Sequence, residues 1–302
     1  MQSLEFELLN IPKLSLGAIC IGKFDGFHLG HQHIIERTKQ ISGTLPCGIL
    51  TFSPLPFIFF GKGKQTIYTQ NEKAFLVQKL GANFLLTLNF NEQLSQTSGE
   101  EFIAKLASIT KNIVVGKGFR FGCGQYCGEN ELIAWQGKHG YKAHILENVS
   151  NGDGKISSSM LRYCVQNGDF QGYTSIANCP FFALATVTSG LKLASKIGFP
   201  TANCIISQEK IMPPFGVYAT KISIDGQTYS SISNYGTKPT IEGIHAPTLE
   251  THIFGFNSNI YGKHVRVEFI AKIRDEQKFD NINQLQFQIS QDIIICKKIH
   301  GL

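Results

Sequence analysis

The sequence predicts two folds in series: a doubly wound parallel α/β sheet, then an antiparallel β-barrel closed by one helix. Three observations lead there. Short apolar runs alternate with helical segments over the first half of the chain. Beyond about residue 178, strand-like runs follow one another with only Gly, Asp, Asn and Pro turns between them. The 302 residues are too many for one small domain and suffice for two.

In the first half, apolar runs at 16–21, 47–52, 83–88, 112–115 and 142–146 read as strands. Helical spacing recurs at 29–41, 71–80, 99–108, 130–138 and 157–166. Strands separated by helices pair in parallel through crossovers. In the second half the strand candidates are 182–188, 216–224, 228–233, 249–256 and 264–273, followed by a helix at 281–298. The change of rhythm places the boundary between 172 and 182, giving domains 1–178 and 179–302.

Composition narrows the function classes. A hydrophobic content of 42% with 17% charged residues excludes a disordered chain. The net charge of +6 is spread without basic runs, so neither nucleic acid nor a membrane surface is an expected partner. The N-terminal residues lack a basic, then apolar, leader pattern, and the expected location is the cytoplasm. The eight cysteines are scattered without zinc spacing and read as free thiols in a reducing compartment.

The densest motif is Gly22-Lys23-Phe24-Asp25-Gly26-Phe27-His28-Leu29-Gly30-His31, between a predicted strand and a predicted helix. Backbone N–H groups and the positive end of the helix dipole are free to bind phosphate there. Gly22, Gly26 and Gly30 allow close approach of an anion, and His28 and His31 share one helical face. Two imidazoles so placed can stabilise charge developing on one phosphorus. Ser157, Ser158 and Ser159 open a later helix carrying Arg162; hydroxyls there cap N–H groups or contact phosphate, and arginine clamps polyphosphates.

The first string resembles the HxGH signature of the α/β nucleotidyltransferases, in the longer GxFDGxHxGH form of bacterial FAD synthetases. Ile156 to Arg162 resembles the ISSTxxR segment of that superfamily, and Gly116 to Gly122 its GxDFRFG loop. In the second half, Gly198-Phe199-Pro200-Thr201-Ala202-Asn203, Gly216-Val217-Tyr218-Ala219, Asn234 to Thr240, Leu249-Glu250-Thr251-His252, Tyr261-Gly262-Lys263 and Ile273-Arg274 resemble riboflavin kinase in order and spacing. Together they cover most of the chain and resemble the bacterial bifunctional riboflavin kinase/FAD synthetase family.

That resemblance implies a Rossmann-like nucleotidyltransferase domain and a six-stranded kinase barrel with a C-terminal helix. It implies phosphorylation of riboflavin to FMN, then adenylylation of FMN to FAD, with ATP as co-substrate and Mg2+ as cofactor. His28 and His31 would stabilise the adenylyl transition state, with Asp25 organising the loop or the metal and Arg162 holding polyphosphate. Gly22, Phe24, Gly26, Gly30 and the three serines would bind nucleotide, and Phe119, Arg120, Phe121 and Arg274 the flavin. In the kinase, Thr201 and Asn203 would hold magnesium and ATP phosphates, Lys196 would assist, and Glu250 would be the general base. The expected partners are riboflavin, FMN and ATP, with a monomer or weak homo-oligomer as the assembly.

Several positions depart from the family pattern. Ala177-Asn178-Cys179-Pro180 replaces a Leu-Gly-Arg-Pro run, and Ala194 and Ser195 replace a Gly-Arg pair, with Lys192 and Lys196 nearby. Leu55 stands where the family has histidine and Gly118 where it has an acid, and the 121–128 segment is one residue longer. An adenylyltransferase whose barrel only binds flavin, a flavin-binding protein without activity, and an adenylyltransferase for another phosphate ester are the competing readings. The first differs in rejecting riboflavin as substrate; the third leaves the barrel motifs unexplained.

Overall fold

The computed structural model describes residues 1–150, 156–188, 199–237 and 247–302. The chain forms two compact units, Met1–Ser158 and Ser159–Leu302.

The first unit is a six-stranded parallel sheet in the order β1-β4-β3-β2-β5-β6. Its strands are β1 (Gln2–Phe6), β2 (Ala18–Ile21), β3 (Cys47–Ser53), β4 (Phe84–Asn89), β5 (Asn112–Gly116) and β6 (Lys142–Leu146). The crossovers carry α1 (Leu29–Ser42), α2 (Pro56–Phe59), α3 (Gln70–Lys79), α4 (Glu92–Gln96), α5 (Gly99–Ala107), α6 (Glu129–Ala134) and α7 (Gln136–His139). Every residue of β2 is buried, as is the centre of β3, β4 and β5, because helices cover both faces of a parallel sheet. Edge strand β1 is mostly exposed, and this weaker pattern explains its absence from the sequence reading. The core runs from Leu50 and Leu86 in the sheet to Ile103 and Leu106 on α5. Ser98 caps α5, and Thr69 with Glu72 forms a reciprocal capping box that starts α3 sharply.

In the second unit, α8 (Ser158–Asn167) and α9 (Phe170–Ala177) precede a closed barrel of order β10-β11-β8-β7-β12-β9. Its strands are β7 (Phe182–Thr188), β8 (Ala202–Ile205), β9 (Gly216–Ile224), β10 (Gln227–Thr237), β11 (Pro247–Ile253) and β12 (His264–Asp275), and α10 (Ile282–His300) follows. All strand pairs are antiparallel. The sequence reading lacked β8, a four-residue strand cut from the motif around Asn203. The composition shift at 172–182 lies later than the division of the units at Ser158, and α9 between these points packs with the barrel. Its Phe170 ring lies 5.3 Å from Phe269 and 6.0 Å from Phe181, closing an aromatic cluster with Tyr218.

Inside the barrel, Thr220 Oγ1 hydrogen-bonds Ser231 Oγ and Ser233 Oγ at 2.9 and 2.8 Å, and Ser233 Oγ meets Thr251 Oγ1 at 2.8 Å. These four fully buried hydroxyls satisfy one another, so the interior carries them without an orphaned donor. Outside, α10 covers Val217, Ala219 and Ile232 with Cys296. Arg274 Nε donates to both carboxylate oxygens of Asp292 at 3.0 Å and its terminal nitrogen to Oδ2 at 2.8 Å, while Gln288 donates to Oδ1.

Asp292 is almost fully buried, and removing it leaves the half-buried Arg274 guanidinium with the Asp275 carbonyl but without its carboxylate. Asp292→Ala is expected to cost about 3 kcal/mol of unfolding free energy, read by urea denaturation of the second unit's transition. A loss under about 1 kcal/mol would place this pair among weak surface contacts.

Candidate active sites

The loop after β2 lies where the sheet order reverses, with β3 and β4 on one side and β5 on the other. Ligands of open α/β sheets bind beyond the carboxyl ends of the strands at such a switch point. Residues 24–28 of this loop are buried. Phe24 and Phe27 adopt left-handed backbone angles, φ 45° and 49°, which are rare for bulky residues and held only by their surroundings.

The loop is tied down from several elements. Asp25 Oδ1 accepts from the Ile67 N–H at 2.9 Å. The Lys23 carbonyl accepts from Thr51 Oγ1 on β3 at 2.9 Å and from Lys73 Nζ on α3 at 3.4 Å. Burial lowers the Lys73 ammonium to about 8, with the Asp25 charge acting against that fall.

His28 caps α1, its Nδ1 accepting from the His31 N–H at 3.3 Å. The two imidazoles are stacked, with centroids 3.8 Å apart and planes 19° apart, and His31 also meets the Phe24 ring at 5.0 Å. His31 Nδ1 is sealed from solvent without a hydrogen-bond partner. Burial holds the His31 imidazole well below its usual pKa, helped by the positive fields of His28 and Lys73. Gly30 packs closely under this cap: a Cβ there would stand 3.1 Å from the His28 ring.

The other predicted residues of this half are less uniformly placed. Phe121 is a core residue, stacked on half-buried Phe119 with centroids 5.3 Å apart. Arg120 is exposed. Gly118 has φ 84°, a backbone that suits glycine, and its N–H donates to the Glu129 carboxylate. Leu55, in the histidine position, is buried at the start of α2. Ser158 opens α8, which buries Leu161, Cys164 and Val165; Ser157 and Arg162 are half-buried and Ser159 exposed.

In the barrel, Glu250 is the direct cross-strand partner of Asn203 on β8 and of Asn234 on β10. Alternation along β11 buries Leu249, Thr251 and Ile253 and leaves Glu250 and His252 on the other face. One outer row thus carries Asn203, Glu250 and Asn234. Thr201 lines a cavity of about 290 Å3 with Val187, Ala202, Thr251, Phe256 and Tyr261. His252 Nδ1 lies 2.8 Å from the Pro200 carbonyl, which fixes the turn leading into β8. Arg274 is the partner of Asp292. Lys192, Ala194, Ser195, Lys196, Gly198, Lys238, Pro239 and Thr240 lie outside the described residues.

The chain thus joins a parallel α/β sheet, with the stacked His28–His31 pair at its switch point, to a closed antiparallel barrel with Asn203, Glu250 and Asn234 in one outer row. The family model for FAD synthetase matches residues 12–160 and that for riboflavin kinase residues 177–300. A bifunctional riboflavin kinase/FMN adenylyltransferase from Bacillus subtilis is 34% identical over 286 residues, covering 91% of this chain and 89% of the relative. One from Haemophilus influenzae is 31% identical, covering 93% of both. A crystal structure described as a macrolide-efflux protein from Streptococcus pneumoniae superposes with a TM-score of 0.85 at 27% identity over 98% of each chain. Among the described residues no helix is long and apolar enough to cross a membrane. The chain belongs to the bifunctional riboflavin kinase/FMN adenylyltransferase family.

Sequence reasoning missed Lys73, whose position alone suggests an ordinary helix lysine. The capping box at Thr69 and Glu72 fixes α3's first turn and was the one available signal of its placement.

The folded His31 titrates below the free imidazole value of 6.5, so on acidification the unfolded chain takes up that proton first. Stability linked to His31 is therefore full above 6.5 and is lost as pH falls towards the folded value. Calorimetry from about pH 7.5 to about 5.5 should show a shallower fall of Tm in His31→Gln than in the parent. Equal slopes would mean His31 is not held neutral by the fold.

Proposed function

We propose that the chain phosphorylates riboflavin to FMN in its barrel and adenylylates FMN to FAD on its parallel sheet, using ATP in both steps. Residues 1–178 form the adenylyltransferase and 179–302 the kinase. The observation that carries the reading is the stacked His28–His31 pair at the head of α1, at the switch point of the sheet.

For adenylylation, the FMN phosphate attacks the α-phosphorus of ATP in line, and pyrophosphate leaves. The nucleophile is already ionised, so positioning and charge neutralisation supply the catalysis. Backbone N–H groups at the head of α1 and glycines 22, 26 and 30 receive the phosphates. His28 and His31 stabilise the charge that develops on the α-phosphoryl oxygens. Asp25, whose Oδ1 is engaged by the Ile67 N–H, acts by holding the loop. Phe24 supports the same loop from beneath, and Ser157, Ser158, Ser159 and Arg162 take the polyphosphate. Phe119, Arg120 and Phe121 form the flavin side, with Arg120 as its exposed polar member.

For phosphorylation, Glu250 accepts the ribityl 5′-hydroxyl proton as that oxygen attacks the γ-phosphorus and ADP leaves. A carboxylate on a paired strand has the fixed geometry that general-base catalysis needs first. Magnesium fits the residues present. Thr201 and Asn203 offer the oxygen donors a hard cation prefers, Thr201 at a cavity wall and Asn203 beside Glu250. Bound there with ATP, it would neutralise phosphate charge. Lys196 assists the phosphates, and Arg274 contributes to flavin binding from its place on β12. The enzyme works in the cytoplasm as a monomer or weak homo-oligomer, without nucleic-acid or membrane partners.

The test is incubation with ATP, magnesium and either riboflavin or FMN, followed by chromatography of the flavins. FAD from both substrates is expected, with FMN appearing first from riboflavin. FAD from FMN alone would remove the kinase half of the reading, and no product from either would remove both. His28→Ala with His31→Ala should abolish FAD formation and spare FMN formation. Glu250→Gln should do the reverse, lowering FMN formation about 100-fold or more with FAD synthesis from supplied FMN intact. Wild-type rates in either variant would sink that residue assignment.

A further inference from the structure

Lys73 belongs to none of the sequence motifs, yet it is among the largest fully buried side chains of the protein. A buried lysine is uncommon because desolvating an ammonium is costly unless a partner offsets the cost. Here the partners all belong to one short turn. Lys73 Nζ donates to the Lys23 carbonyl, and its charge is stabilised by Asp25, the second residue beyond it. The same stretch of chain makes a second tie, because the Ile67 N–H just ahead of α3 donates to Asp25 Oδ1. The Thr69–Glu72 capping box fixes where α3 begins and therefore where Lys73 projects.

What these ties hold is a turn that opposes its own backbone preference. Phe24 lies between the two anchored residues with φ 45°, and Phe27 follows at 49° just before His28. Left-handed geometry at two bulky residues persists only where the surroundings over-determine it. Thr51 already donates to the Lys23 carbonyl through a neutral hydroxyl, so anchoring alone has no need of a cation. The ammonium adds a positive field beneath the turn that His28 and His31 share, and Lys73 is one of the charges acting on His31.

We propose that Lys73 is a positioning residue for adenylyl transfer: from α3 its ammonium fixes the Lys23–Asp25 turn, and through it the stacked His28–His31 pair. The proposal rests on the adenylyltransferase reading above. A residue acting through the imidazoles contributes only while they are present, whereas one that merely supports the fold adds its loss independently.

The test is a double-mutant cycle of Lys73→Met and His31→Gln in the full-length protein. FAD formation from FMN is measured, and riboflavin phosphorylation by the same preparation serves as the internal reference. Lys73→Met is expected to lower kcat for FAD about tenfold or more while KM for ATP moves less than about twofold. The double variant is expected within about twofold of His31→Gln alone. Multiplying losses, or an unchanged kcat in Lys73→Met, would overturn the role. If Lys73→Met does not fold, Lys73→Gln, which keeps a donor and lacks the charge, goes through the same cycle under the same criteria. A parent chain that makes no FAD would overturn the proposal together with the reading beneath it. An active parent with multiplying losses would overturn the Lys73 role alone.

Discussion

The turn between β2 and α1 leads into the stacked His28–His31 pair, and its own backbone resists the shape it takes. Phe24 and Phe27 sit in the left-handed region, which costs an L-residue roughly 1–2 kcal/mol each. The offset is burial of both rings, each expected to contribute about 1.5–3 kcal/mol. Their ring centroids lie 5.9 Å apart, and Phe27 meets Tyr68 edge-on at 6.4 Å. The turn is thus a piece of hydrophobic core that happens to carry the polar signature. Its apolar members, together with the ties at Lys23 and Asp25, hold the shape that His28 and His31 follow.

The barrel reaches rigidity by a different route. Its interior is partly polar, and the hydroxyls of Thr220, Ser231, Ser233 and Thr251 form one linked set, with Ser231 Oγ also reaching the Thr220 carbonyl at 3.1 Å. Such a set is stable in one register, because slipping any strand by one residue would turn its hydroxyls outward and leave the rest unpaired. Register is what aligns Asn203, Glu250 and Asn234 across three strands. The interior network and the outer row of Asn203, Glu250 and Asn234 are therefore two faces of the same pairing.

Much of this was legible in the sequence because it rests on local pattern. The central strands are mostly apolar, and the predicted helices at 29–41, 99–108 and 157–166 fall within a residue of α1, α5 and α8. What stayed hidden depends on distant partners. Strand β1 alternates too weakly to stand out alone, and β8 is only four residues long. Helix α9 precedes the composition shift yet packs its Phe170 on the barrel, a preference that no local pattern encodes. Lys73 looked like any helix lysine because its burial is decided by a turn some fifty residues earlier. The Gly118 departure, puzzling as a lost acid, is explained by a backbone angle that suits glycine.

The two sites also differ in a way the proposed chemistry requires. A hydroxyl nucleophile must lose a proton as it attacks, and in the proposed reaction the strand-borne carboxylate of Glu250 takes it. A phosphate nucleophile has no such proton at neutral pH. A free carboxylate beside it would repel both reactants, by several kcal/mol at close range in a low-dielectric site. The carboxylate nearest the imidazole pair in sequence, Asp25, is buried and has its Oδ1 occupied by the Ile67 N–H, with a lysine ammonium stabilising its charge. The fold has thus kept an anion in the loop and set a cation from α3 against its charge.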